Sequence, residues 1–155
     1  MCPAVTAQTR AVTRGALWWL QQADICALLE VPLGNGRRAD ILGLDPSGAF
    51  HLIEVKASAQ DLGRDRKWPA YRAFADHFYF AVPPELAAIV PFPEVGLLVC
   101  DRHEAVLLRP APRHPLHPAR RRALLVRFAR LAAMRLAASA QRTPHAPSSS
   151  QLSIR

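Results

Sequence analysis

The sequence predicts a mixed α/β domain, with helices packed on one sheet in the order α-β-β-β-α-β-(α)-β-β-α. Two observations predict it. Three apolar runs between residues 25 and 56 are separated only by tight-turn signals, the mark of an antiparallel meander. From residue 57 onward apolar runs alternate with helical patterns, which makes the sheet mixed and brings helices onto it.

Over residues 6–22 Val12, Ala16, Trp19 and Leu20 recur at helical spacing, predicting an amphipathic helix. Residues 25–33 are a strand-like run with one acid, Glu30. Gly34-Asn35-Gly36 marks a tight turn, because Gly and Asn tolerate positive φ. Residues 38–44 form a second strand, Asp45-Pro46-Ser47-Gly48 a turn, and residues 49–56 a third strand. The polar stretch 57–66 leads into a short helix over 68–76, where Pro69 suits the first turn. Residues 77–82 are a compact apolar strand closed by Pro83-Pro84, followed by a helical turn over 85–90. Strands over 95–100 and 105–109 come next, then the longest helix over 115–138, with Leu124, Phe128 and Leu131 on one face. Residues 1–138 thus make one domain, and the Pro/Ser-rich residues 139–155 a disordered tail.

Half of the residues are apolar, ordinary for a globular protein and too many for a disordered one. No apolar run approaches the roughly 20 residues that span a bilayer. No charged segment followed by an apolar one marks a secretory signal. Cys2, Cys26 and Cys100 are too scattered for a metal site or a disulfide framework, so a cytoplasmic location is expected. The net charge of +8 is unevenly placed: from Arg102 onward eleven arginines meet one acid, Glu104. That asymmetry favours a polyanionic partner, DNA in first place and not a membrane. GC-rich coding DNA would also produce an arginine surplus, with no partner behind it.

Alternation along a strand places Phe50, Leu52, Glu54 and Lys56 on one face, with Glu54 and Lys56 about 6.6 Å apart. On the preceding strand Asp40 shares a face with Arg38 and Leu42. A turn centred on residues 46–47 pairs 40 with 53, and a bulge would shift this by one and set Asp40 against Glu54. One residue decides which face a side chain takes, so the register stays open. Ionisable groups buried on neighbouring strands are costly unless they pair or bind a metal.

If the carboxylates converge, their hard oxygens select Mg²⁺ or Mn²⁺. Such an ion lowers the pKa of a bound water and offsets charge at a phosphoryl group. Lys56 would orient the water or stabilise the transition state. Glu30 would add a third carboxylate, or else pair with Arg37 or Arg38 at a sheet edge. Arg37 and Arg38 would hold flanking phosphates. The competing reading of Glu54-Val55-Lys56 is a solvated strand face with an ordinary ion pair.

Asp65 reads as a cap for the helix that follows, in preference to a catalytic acid. Lys67 would touch a phosphate or lie on the surface. Trp68 and Tyr71 would stack on bases or, preferably, pack that helix onto the sheet. His114 and His117 are three apart, but Pro115 and Pro118 break any helix aligning them, so no zinc site is expected. The final helix, with Arg120 and Arg121, would present a basic face to DNA while its apolar side packs on the core.

The layout of an acid on one strand and Glu-X-Lys on the next resembles the PD-(D/E)XK nuclease superfamily, the restriction-endonuclease-like fold. A closer resemblance is to the MmcB-type DNA repair proteins of alphaproteobacteria. It is carried by residues 32–40 (Pro-Leu-Gly-Asn-Gly-Arg-Arg-Ala-Asp), 53–56 (Ile-Glu-Val-Lys), 65–69 (Asp-Arg-Lys-Trp-Pro) and 78–84 (Phe-Tyr-Phe-Ala-Val-Pro-Pro), and runs from about residue 10 to 138. The resemblance implies a restriction-endonuclease-like core and Mg²⁺- or Mn²⁺-dependent DNA hydrolysis in repair. It implies Asp40, Glu54 and the Val55 backbone carbonyl as metal ligands and Lys56 as the catalytic lysine. Other repair proteins are candidate partners. Many nucleases of this class pair two sites to cut two strands, so a dimer is one option. Two departures stand out. Ala39 replaces the proline before Asp40, and the first helix has no acid between Gln8 and Gln22, where many superfamily members carry a glutamate. The second departure keeps open an alternative, a non-catalytic DNA-binding accessory module of the same fold.

Overall fold

The structure, a computed structural model, describes residues 6–142, and its element order is the expected one with a single addition. The elements are α1 (Ala7–Gln22), β1 (Cys26–Pro32), β2 (Arg38–Leu44), β3 (Phe50–Val55), α2 (Ala59–Arg64), α3 (Pro69–Arg72), β4 (His77–Val82), a 3₁₀ segment (Pro84–Ile89), β5 (Gly96–Cys100), β6 (Ala105–Arg109) and α4 (Pro118–Arg142). One six-stranded sheet runs β1-β2-β3-β4-β5-β6. The first three strands are an antiparallel meander, β3, β4 and β5 are mutually parallel, and β6 returns antiparallel.

Side-chain alternation divides the core between the two faces of this sheet. Ile41, Ile53, Tyr79 and Leu98 pack under Val12, Ala16 and Leu20 of α1. Leu42, Phe50, Leu52, Phe78 and Phe80 pack on the other side with Trp68, Leu86, Leu116, Leu124 and Phe128. Gly15 lets α1 approach the β5–β6 hairpin closely, since an added Cβ would lie 2.5 Å from the Asp101 carbonyl oxygen.

The turn between β2 and β3 settles the register. Asp45 Oδ1 accepts hydrogen bonds from the N–H groups of Ser47 (2.8 Å) and Ala49 (2.9 Å) and from the Ser47 hydroxyl (2.7 Å). Gly48 takes φ +84°, the left-handed conformation of a glycine bulge. The strands then pair Leu44 with Phe50 and Ile41 with Ile53, one step beyond the simple turn, so the rung above them sets Asp40 opposite Glu54. An added Cβ at Gly48 would meet nothing within 4 Å, so its cost is backbone conformation alone. Gly48→Ala is therefore expected to lose about 1–2 kcal/mol in urea unfolding.

Three boundaries depart from expectation. The addition is α2, in a stretch read as polar loop: Ser58 Oγ accepts from the Asp61 N–H (3.1 Å) and Leu62 is buried beneath it. The Ser-X-X-Asp cap pattern at 58–61 was the available signal. Helix α3 is only four residues long. Helix α4 starts at Pro118 and continues to Arg142, so residues 139–142 are helical where tail was expected. The rest of the expected tail, 143–155, lies outside the described residues.

Arg121, expected to contact DNA, makes a structural ion pair with Asp76. Its guanidinium grips Asp76 with two N–H groups (2.6 and 2.9 Å) and reaches the Gly48 carbonyl (2.7 Å). Asp76 is fully buried and also accepts from the N–H groups of Phe50 (2.8 Å) and Leu116 (3.1 Å). Burial alone would raise Asp76, but Arg121 and these N–H donors outweigh it and hold the carboxyl at about 2.

Candidate active site

Strands β2 and β3 part at Asp40. Their ladder ends at Ile41–Ile53. Beyond it side chains take over from backbone: Asp40 N–H donates to Glu54 Oε1 (3.3 Å) and Val55 N–H donates to Asp40 Oδ2 (2.9 Å). The opening therefore holds two carboxylates, each fixed by the other strand. Glu54 continues the row begun by Phe50 and Leu52 and is only 5% exposed. Burial, and after it the charge on Asp40, pushes the Glu54 carboxyl up to about 8. Asp40 is raised as well, by burial first, with the Val55 N–H pulling against it. At neutral pH the pair thus resists carrying two full charges, as neighbouring carboxylates in a dry site do.

Lys56 lies just past the end of β3, and its Nζ is 2.6 Å from Asp65 Oδ2 and 5.8 Å from the Phe80 ring centre. Asp65 does not occupy the cap position of α3 expected of it: that position is Trp68, without a side-chain cap bond, and Asp65 instead closes the C-terminal end of α2. Its Oδ1 accepts from the N–H groups of Lys67 (2.8 Å) and Trp68 (3.0 Å) and so holds the turn between the two helices. Its bond to Lys56 was missed, because only the capping half of the 65–69 run was read from sequence. Tyr71 also borders the site: burial raises its hydroxyl, followed by the charges of Glu54 and Asp40. Arg37 sits over the Tyr71 ring at 5.6 Å. Trp68 is 7% exposed and stacked on Phe78, which settles it as packing.

The other expected site residues are placed as follows. Glu30 lies opposite Asp40 in the β1–β2 register, in the left-handed region at φ +53°, and its carboxylate pairs with Arg38 at the exposed sheet edge. Among the described residues no three His, Cys, Asp or Glu side chains form a metal-holding cluster, so Glu30 does not complete a three-acid set. Val55 is half-buried, with its N–H committed to Asp40. Lys67 is exposed. Arg120 rests 5.1 Å from the Phe74 ring centre and donates to the Ala73 carbonyl (2.9 Å), away from the carboxylates.

A buried and a half-buried carboxylate that repel one another match the hard oxygen donors that Mg²⁺ or Mn²⁺ takes. Such ions keep several waters and need few protein ligands. The fit is with two protein carboxylates, not three.

The family model described as DNA repair protein MmcB-like matches residues 4–143. The chain belongs to the MmcB-like family. This MmcB-like chain is also similar to a solved structure described as "SPO1766 protein of unknown function from Silicibacter pomeroyi". The two are 34% identical, the match covers 92% of this chain and 97% of that one, and the TM-score is 0.82. No curated protein matches. No helix among the described residues is long and apolar enough to cross a membrane.

The carboxylate pair gives this MmcB-like chain a characteristic pH response. Glu54 ionises near pH 4.5 when unfolded and near 8 when folded. Unfolding therefore gains from ionisation between those values, and stability falls as pH rises through that window. Glu54→Gln is expected to remove this slope, on the order of a few kcal/mol between pH 5 and pH 8. Urea titrations of both proteins at the two pH values measure it.

Proposed function

We propose that the protein is a metal-dependent DNA endonuclease of the PD-(D/E)XK type, acting in DNA repair by hydrolysing phosphodiester bonds. The observation that carries this reading is the opening of the β2–β3 ladder, where Asp40 and Glu54 face each other with Lys56 two residues on. Asp40 and Glu54, with the Val55 carbonyl, would hold Mg²⁺ or Mn²⁺. The ion would supply an activated water and offset charge at the phosphoryl group. Lys56 would place an ammonium beside the scissile phosphate. Arg37, with Arg38 and Lys67 farther out, would hold the flanking strand; Tyr71, stacked on Phe78 and covered by Arg37, packs beside the site. The MmcB-like family and the +8 charge support DNA as the partner. Other repair proteins as partners, a cytoplasmic location and a dimer that cuts both strands belong to the same proposal.

The accessory-module reading has one observation in its favour: among the described residues no third acid joins Asp40 and Glu54 in a metal-holding cluster, and α1 has no acid between Gln8 and Gln22. Labelled duplex, flap, gapped and single-stranded DNA incubated with Mg²⁺ or Mn²⁺ separates the two. Metal-dependent products support the nuclease; tight binding without products transfers the assignment to the accessory module.

A further inference from the structure

We infer that Asp65 is the positioning residue for Lys56, an inference that rests on the nuclease reading of the same site. A lysine reaches its target through a flexible four-carbon stem, and fixing its ammonium costs rotamer entropy that a free lysine retains. Here the ammonium is fixed. Asp65 Oδ2 lies 2.6 Å from Nζ, and the two side chains are only 6% and 15% exposed. The carboxylate that holds it is itself aimed: the N–H groups of Lys67 and Trp68 anchor Oδ1, which leaves Oδ2 directed at Lys56. The ammonium also lies over the Phe80 ring, 5.8 Å from its centre.

One carboxylate thus ties together two parts of the site. It sets where Lys56 ends, and it starts the turn into α3, which carries Tyr71 to the Arg37 side of the carboxylate pair. Holding that turn needs only Oδ1, and an asparagine oxygen would serve as well. The second oxygen has no part in it.

Asp65→Asn separates these roles. It keeps an oxygen for the Lys67 and Trp68 N–H groups but turns an NH₂ group toward Nζ, donor against donor. The chain has two lysines, Lys56 and Lys67. Protein labelled with ¹³C,¹⁵N-lysine therefore shows two side-chain spin systems. In the wild type the two Hε protons of Lys56 are expected to be inequivalent, as in a fixed side chain. They are expected to merge in Asp65→Asn and to separate again in Asp65→Glu. In DNA cleavage, kcat of Asp65→Asn is expected to fall about 10–100-fold, as for other lost supports of site residues, with KM unchanged. The loss should not add to that of Lys56→Ala.

Unchanged Hε inequivalence in Asp65→Asn would overturn the inference, and so would a fall confined to KM or losses that add. If the wild type cleaves no DNA, the nuclease reading fails, and the Hε signals alone decide whether Asp65 fixes Lys56.

Discussion

Asp40→Asn is expected to lower metal-dependent DNA cleavage by about a thousandfold, and Lys56→Ala by a similar factor, because the first removes a charge that holds the cation and the second the ammonium beside the reacting phosphate. Asparagine has the size of aspartate and still presents an oxygen to the Val55 N–H, so the strand opening keeps its shape. What disappears is the negative charge that draws a cation between β2 and β3. Lys56→Ala leaves Asp65 with its two backbone donors, so the turn into α3 survives. Both variants should therefore fold. Single-turnover cleavage, with circular dichroism as the control for folding, measures the effect. Near-wild-type rates in either folded variant would remove that residue from the chemistry.

Arg121→Ala is expected to destabilise the protein by about 3–5 kcal/mol, because it strands a fully buried carboxylate without its charge partner. The Phe50 and Leu116 N–H groups would still bind Asp76, but no cation would remain to balance it. The pair joins the start of β3, the start of β4 and the entry to α4, so these three elements loosen together. Removing Asp76 as well should not restore stability. It leaves the Phe50 and Leu116 N–H groups without the acceptor they now have, and an unmet buried donor costs about 1–3 kcal/mol. Urea unfolding of Arg121→Ala and of the Arg121→Ala/Asp76→Ala double variant measures both statements. A loss under about 1 kcal/mol, the ordinary worth of a surface pair, would mean that water already screens this one.

Much of this could be read from sequence because it depends on local chemistry. Tight-turn residues at 34–36 and 45–48 announced the meander, and alternation placed Glu54 and Lys56 on one face. The register could not be read, since it depended on whether Gly48 would take up an extra residue as a bulge. The ion pair of Arg121 was illegible for a related reason: its sequence neighbourhood is a run of arginines, and only the fold brings Asp76, 45 positions earlier, against it. The bond from Asp65 to Lys56 likewise joins residues that the sequence separates by a helix. Glu30 was legible: pairing with Arg37 or Arg38 at a sheet edge was the alternative to a third metal ligand, and its carboxylate pairs with Arg38.

On the proposed reading, Asp40 and Glu54 together hold a divalent cation. Mn²⁺ binding to the wild type, Asp40→Asn and Glu54→Gln, followed by electron paramagnetic resonance at pH 5 and pH 8, tests this without any DNA substrate. One bound ion is expected in the wild type, held more tightly at pH 8 because protons compete for a Glu54 carboxyl raised to about 8. Each variant is expected to lose that ion while remaining folded. Equal binding by all three proteins, or none by the wild type at either pH, would contradict that reading.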